Sequence, residues 1–108
     1  MTLPELHEVF KEAKIPVMHY KARQTGYPYI VWQERSSSYN YASGKVVHEL
    51  IPVTASHLTK KEWDPTLDEF KLVLLKKKIN FTTVTIWYED DELIETIFNL
   101  AIWRELEV

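Results

Sequence analysis

The segment "FTTVTIWYEDDELIETIFNLAIWREL", residues 81–106, decides the fold. Its first eight residues are almost all β-branched or aromatic and alternate between two faces, which predicts a strand over residues 81–88. Four acidic residues then form a turn, and a long strand follows over residues 93–106. Ile94, Phe98 and Leu100 share one face of that strand, which predicts that the face is buried. A short connection of this kind favours antiparallel pairing.

Two helices are predicted upstream of this hairpin. Residues 2–5 have capping-box spacing and an early proline, and apolar residues then recur at helical spacing, so a helix is expected over residues 3–14. The second helix starts at Asp64, whose side chain can cap it, with Pro65 in the first helical position. It is expected to continue to about residue 78.

The remaining apolar runs predict three further strands. They cover residues 17–20, 29–35 and 45–55, and a polar, Ser-rich loop over residues 36–44 separates the last two. Pro52 lacks the N–H that a strand ladder needs, so the third of these strands is expected at a sheet edge or with a bulge near that residue.

Together these elements predict one α+β domain over residues 1–108. The expected architecture is a mostly antiparallel sheet of about 4–5 strands, with two helices packed on one face, in the order α-β-β-β-α-β-β.

The composition excludes several classes of protein. The chain has 108 residues, a net charge of −3 and no cysteine, which rules out a disulfide scaffold and a thiolate zinc site. The mild acidity argues against gripping a nucleic-acid backbone, so no sequence-specific nucleic-acid binding is expected. The N-terminus lacks the apolar core of a signal peptide, and no run approaches the roughly 18 apolar residues of a membrane span. The default expectation is a soluble intracellular protein without membrane contact.

No motif for catalysis, metal binding or cofactor binding is evident. The four histidines, at positions 7, 19, 48 and 57, have no histidine three or four residues away, and two glycines cannot build a nucleotide-binding loop. The prediction is therefore a non-enzyme with no metal and no cofactor. A small enzyme remains an alternative, and it would need a pocket that joins His48 or His57 to a carboxylate.

Charge and aromatic residues are unevenly distributed. Residues 60–78 contain six lysines and four acidic residues, whereas residues 89–108 contain seven acidic residues and one arginine, a pattern that suits contacts between copies of the chain. Trp63 is expected to pack back against the helix that follows it, and Trp87 is expected in the core. Tyr39 and Tyr41 fit a core and an interface equally well.

Three stretches resemble a known family. They are "IPVMHY" at residues 15–20, "PYIVW" at residues 28–32 and "YASGKV" at residues 41–46, followed by the Asp64-Pro65 helix start. This pattern resembles small virion proteins of long-tailed phages and Gram-positive prophages, of the head–tail joining, tail-terminator or tail-completion type. The resemblance covers about residues 15–108. The chain departs from the family pattern at residues 51–55, "IPVTA", and at Ser43, where the family has aspartate.

The resemblance implies a structural role by assembly. Proteins of this family look like small α+β subunits that form rings, commonly hexamers, between the portal complex and the tail tube. The implied partners are further copies of the chain and connector or tail-tube proteins. The implied location is the head–tail junction of the virion, and the bacterial cytoplasm during assembly. The candidate assembly loop carries Tyr39, Asn40, Tyr41 and Lys45. The alternative is a small adaptor that binds a protein partner through an open sheet edge.

Overall fold

The computed structural model describes residues 1–23 and 26–108, and for Ala42 and Ser43 the backbone alone. Within these ranges two helices and six strands follow one another: α1 (Leu3–Lys11), β1 (Val17–His19), β2 (Tyr29–Glu34), β3 (Ser38–Ser43), β4 (Val46–Thr59), α2 (Pro65–Lys76), β5 (Phe81–Tyr88) and β6 (Leu93–Glu107). The α+β class and the placement of the two helices among the strands are confirmed. The sheet has six strands where about 4–5 were expected, because part of the predicted loop is β3.

Helix α1 begins with the predicted capping box. The Thr2 hydroxyl accepts a hydrogen bond from the Glu5 amide (3.2 Å), and the Glu5 carboxylate accepts one from the Thr2 amide (3.1 Å). Two of the N–H groups that a helix leaves unpaired at its start are thereby satisfied. The helix ends at Lys11, earlier than predicted.

Helix α2 is capped at both ends. Asp64 accepts a hydrogen bond from the Thr66 amide (2.9 Å), as its N-cap position predicts. At the other end the Ile79 amide donates to the Leu74 carbonyl (3.0 Å), and Lys78 adopts a φ of 58°. This is a Schellman ending with lysine in the position that glycine usually holds. It turns the chain sharply from α2 into β5.

The strands form one sheet in the order β1-β2-β4-β6-β5, and β3 pairs with the first part of β4. All pairs are antiparallel except β1 with β2. Strands β4 and β6 form the central pair, with continuous register from Val46 opposite Glu107 to Thr59 opposite Ile94. The molecule is elongated, 52 × 26 × 23 Å, because these two strands extend past the helices.

The prediction that the strand containing Pro52 lies at a sheet edge or is bulged near that residue is wrong. Strand β4 is central, and its pairing with β6 runs through Pro52 without interruption. On the opposite side, β2 ends opposite Val53 and β3 begins opposite Leu50. The Pro52 carbonyl accepts from Arg35 on this side (2.7 Å), and the N–H and C=O of a strand residue point the same way. The missing N–H of Pro52 therefore faces the gap between β2 and β3, where no ladder bond is lost.

Both helices pack on one face of the sheet. The rings of Phe10 on α1 and Phe70 on α2 lie 5.3 Å apart, and Phe70 in turn lies 4.8 Å from Phe98 on β6, each pair edge to face. Ile30 and Val53 are also fully buried in this cluster. Among the described residues, no helix lies on the opposite face of the sheet.

Candidate functional site

The residues of the predicted assembly loop lie in a strand and a turn. Tyr39, Asn40 and Tyr41 belong to β3, and Lys45 lies in the turn between β3 and β4. The prediction of a loop over residues 36–44 is therefore wrong for residues 38–43. The polar side chains of β3 are typical of a loop, but its backbone pairs with β4, with Asn40 opposite His48. Tyr39 and Tyr41 are 60% and 81% exposed, so neither lies in the core.

This strand belongs to a three-stranded extension, which we call the arm. It consists of β3 (Ser38–Ser43), residues 46–52 of β4 and residues 101–107 of β6. Only its base belongs to the core beneath the helices, through Ile51 on β4 and Ile102 on β6, and none of its other described side chains is part of that cluster. The arm extends away from the helices and holds Tyr39, Asn40 and Tyr41 in a defined position, and Lys45 lies in the turn at its end.

A buried carboxylate joins the three strands of the arm. Glu49 on β4 is 4% exposed, and it lies between Tyr39 on β3 and Arg104 on β6. Arg104 Nε donates a hydrogen bond of 2.5 Å to Glu49 Oε1. This bond, helped by others from Ser37 and Tyr39, holds the pKa of Glu49 below its ordinary value. Glu49 could not be singled out from the sequence, because a lone glutamate among apolar strand residues is typical of a solvated side chain.

Both outer edges of the arm are free of a strand partner among residues 1–23 and 26–108. On one side, β3 pairs only with β4. On the other side, β5 ends its pairing with β6 at Leu100, so among the described residues no strand pairs with residues 101–107 of β6; the Met1 amine donates to the Trp103 carbonyl there (3.4 Å). The two edges lie level, since Ser38 and Trp103 are both opposite Leu50 and Asn40 and Glu105 are both opposite His48. Unpaired edges of this kind are templates for another strand.

The predicted positions of Trp63 and Trp87 are both wrong. Trp63 is 89% exposed and has a φ of 59°, so it turns outward and does not pack against α2. Trp87 is exposed as well, because α2 covers β6 and leaves β5 open. Trp103, on the arm, is the third exposed tryptophan among the described residues.

The histidines occupy three kinds of environment. His7 accepts a hydrogen bond from the Trp32 indole (2.9 Å), and His19 stacks on the same indole at 4.2 Å while it pairs with Glu34 (2.9 Å). A cavity of about 320 Å³ opens beside His7 and His19. His48 lies on the arm, 3.3 Å from Glu105. Within residues 1–23 and 26–108, no three His, Asp or Glu side chains are grouped closely enough to hold a metal ion.

His57 is fully buried in a hydrogen-bond chain that ties β4 to α2. The Thr66 hydroxyl donates to Asp64 Oδ1 (2.8 Å), so its oxygen accepts from His57 Nε2 (2.9 Å). Thr59 donates to the other Asp64 oxygen (2.6 Å). Burial lowers the pKa of His57, although the Asp64 carboxylate opposes this. His57 and Asp64 thus meet only through Thr66, and His48 lies in the separate arm.

No family model matches the chain, and no curated protein matches it in sequence. Neither of the helices within the described ranges has the length and apolar character that crossing a membrane requires.

Proposed function

We propose that the protein is a virion structural subunit of the head–tail interface of a long-tailed phage or prophage, a tail terminator or head–tail joining component. It acts by assembling into a ring and by binding connector or tail-tube proteins, without catalysis. The proposal rests on the family resemblance of residues 15–108 and on the arm, whose level free edges are the observation that carries it.

The strand directions in the arm suit a ring. Strands β3 and β6 both run antiparallel to β4, so they run parallel to each other. Rotation about a ring axis preserves the strand direction along that axis. The free edge of β3 in one subunit can therefore pair, in parallel, with the free edge of β6 in the next. Such a contact is heterologous, and it closes into a ring when the rotation per subunit divides a full turn.

The exposed aromatic residues of the arm supply anchors for this contact. Tyr39 and Tyr41 project from β3 and Trp103 from β6, and all three are largely exposed in the single chain. Tyrosine and tryptophan are the side chains that contribute most at protein interfaces. A ring of mildly acidic subunits would repel DNA and let it slide through the channel, and the net charge of −3 is consistent with this role.

Electron microscopy and sedimentation of the purified protein test the proposal. Wild-type protein should form rings at high concentration, and the double variant Tyr39→Lys, Tyr41→Lys should remain folded without forming them. The matched control is Leu72→Lys, since Leu72 is also an exposed apolar residue but lies on α2. A strict monomer at high concentration, without binding to any connector or tail-tube protein, contradicts the ring function. Rings that survive the tyrosine changes and disappear with Leu72→Lys contradict the role of the arm.

A free sheet edge is also what an adaptor would use to bind an extended peptide. Two observations distinguish the functions: an adaptor does not form rings, and its gene need not lie beside portal and tail genes.

A further inference from the structure

Strand β5 forms the edge of the main sheet and is unusually open. Among residues 1–23 and 26–108 it pairs only with β6. Six of its eight side chains are exposed, on both faces, including Val84 at 53%. This openness follows from the fold, because α2 covers β6 through Phe70 and Phe98, and β5 reaches the core mainly through Phe81 at its start.

Natural proteins usually protect such an edge, and β5 lacks each of the common devices. Edge strands are commonly short, charged, interrupted by proline or distorted by a bulge. The opposite edge, β1, has only three residues. Strand β5 has eight, "FTTVTIWY", with no charged residue and no proline, and its register with β6 is continuous. An edge of this kind is suited to accept another strand.

We propose that β5 pairs with β5 of a second copy of the chain, antiparallel and about a two-fold axis that passes beside Val84. This interface is separate from the arm and does not rest on the proposed ring function. A two-fold contact closes on itself. It therefore produces a dimer of free subunits, or joins two rings where rings form.

The geometry of antiparallel pairing selects this register. The two-fold axis is perpendicular to the sheet, so residues opposite each other point to the same face and are an even number of positions apart. Centring on Val84 places Thr83 opposite Thr85 of the second copy, and Phe81 opposite its Trp87. Thr–Thr and aromatic pairs are among the cross-strand pairs that stabilise antiparallel sheets.

The charges that flank β5 indicate that the strand that pairs with it belongs to a second copy of the chain. Only Ile79 and Asn80 separate Lys76, Lys77 and Lys78 from the start of the strand. Its end leads directly into Glu89, Asp90, Asp91 and Glu92. An antiparallel partner brings the lysines of each copy to the same end as the carboxylates of the other, at both ends of the paired strands. Parallel pairing would bring like charges together.

The residue composition allows a direct test of the register. The chain has no cysteine, so a single introduced cysteine can form a disulfide only with the same cysteine of the second copy. In the Val84→Cys variant the two cysteines face each other across the axis. Their Cα atoms should be about 4.5–5.5 Å apart, a separation that a disulfide can span. Most of the protein should therefore oxidise to a covalent dimer. The matched control is Thr83→Cys, whose opposite residue is Thr85, and which should cross-link at least ten times more slowly.

Charge reversal tests the choice of partner. The variant Lys76→Glu, Lys78→Glu spares Lys77, which pairs with Glu12 at 3.5 Å. The Lys76→Glu, Lys78→Glu variant should be monomeric alone, because two glutamates and one lysine then meet the four carboxylates of the second copy at both ends. The Asp90→Lys, Asp91→Lys variant should also associate weakly alone, because its turn has two lysines and two glutamates and no longer attracts the lysines of the second copy. An equimolar mixture should form heterodimers, since the intact lysines of one variant then meet the intact carboxylates of the other at one end, and high salt should dissociate them.

Size-exclusion chromatography with light scattering reads out both tests. A wild-type dimer, selective cross-linking at position 84 and heterodimers in the mixture support the proposal. Equal cross-linking at positions 83 and 84, or no association in the mixture, overturns it. A chain that stays monomeric and pairs β5 only with another protein's peptide also overturns it. Dimerisation that persists in the Tyr39→Lys, Tyr41→Lys variant shows that this contact is independent of the arm.

Discussion

Arg104 on β6 donates a hydrogen bond to Glu49 on the neighbouring strand β4, the middle strand of the arm, and the carboxylate that receives it is almost completely buried. A buried charge is tolerated only when it is paired and hydrogen-bonded. This pair is therefore the most sensitive polar contact in the arm.

Replacing Arg104 by alanine is expected to loosen the arm. The carboxylate of Glu49 would lose its main partner while it stays buried, so β3 should separate from β4 more often. Hydrogen–deuterium exchange should show faster exchange in residues 38–50 and unchanged exchange in β5. The double variant Glu49→Gln, Arg104→Ala should exchange more slowly than Arg104→Ala, because no unpaired charge remains. Equal exchange in wild type and Arg104→Ala would contradict this account.

The same contact has a pH dependence. The pKa of Glu49 is lowered in the folded protein, chiefly by the hydrogen bond from Arg104. A carboxyl group with a lowered pKa stabilises the fold above its unfolded pKa, and this contribution is lost as the pH falls through its folded pKa. The protection factors of the arm amides, which correct for the pH dependence of intrinsic exchange, should therefore fall in the acid range below the ordinary value of 4.5, and Glu49→Gln should show a smaller pH effect.

The core depends most on Phe70, which joins both helices to the sheet. It is fully buried and contacts the rings of Phe10 and Phe98. Phe70→Ala should lower the free energy of unfolding by about 3–5 kcal/mol, from lost burial and the cavity that remains. Leu72→Ala, on the exposed side of the same helix, should change it by about 0.5 kcal/mol or less. Urea unfolding of both variants provides the comparison, and similar effects would show that α2 packs differently.

The N-terminus of α2 provides a second stability test. Asp64 caps the helix and also accepts hydrogen bonds from the hydroxyls of Thr59 and Thr66. Asp64→Ala should cost about 1–2 kcal/mol, as loss of an N-cap does. Asp64→Asn keeps an oxygen for the Thr66 amide and should cost less. Thermal unfolding measures both, and the reverse order would contradict the capping role.

Local chemistry explains which parts of the fold could be predicted. The helix starts at Thr2 and Asp64, and the alternation in residues 81–88, depend on neighbours within a few residues, so the sequence contains the signal. Strand β3 depends instead on the free edge of β4, a feature that exists only after β4 and β6 have paired. Its Ser and Asn residues are typical of loops.

The candidate site shows the same limit. The tyrosines at 39 and 41 could be singled out because exposed aromatic residues in a polar segment are unusual. The partnership of Glu49 with Arg104 spans 55 positions and could not be read from spacing. The position of Pro52 in the sheet could not be predicted either. Its strand pairs with β6 on one side, and on the other side Pro52 faces the gap between β2 and β3. The sequence does not distinguish these two sides of a strand.

His57 gives the last prediction, a loss of stability in mildly acidic solution. Burial lowers the pKa of His57 below its ordinary value of 6.5; the Asp64 carboxylate opposes this shift and Lys71 adds to it. The unfolded chain therefore binds a proton at a pH where the folded chain does not, so stability falls as the pH drops below about 6.5, towards the lowered folded pKa. Chemical denaturation at pH 7.5 and pH 5.5 should show a lower midpoint at pH 5.5. His57→Gln can still donate to Thr66 but has no titrating group, so its midpoint should change less between the two values. An equal change in both proteins would assign the pH dependence to other groups.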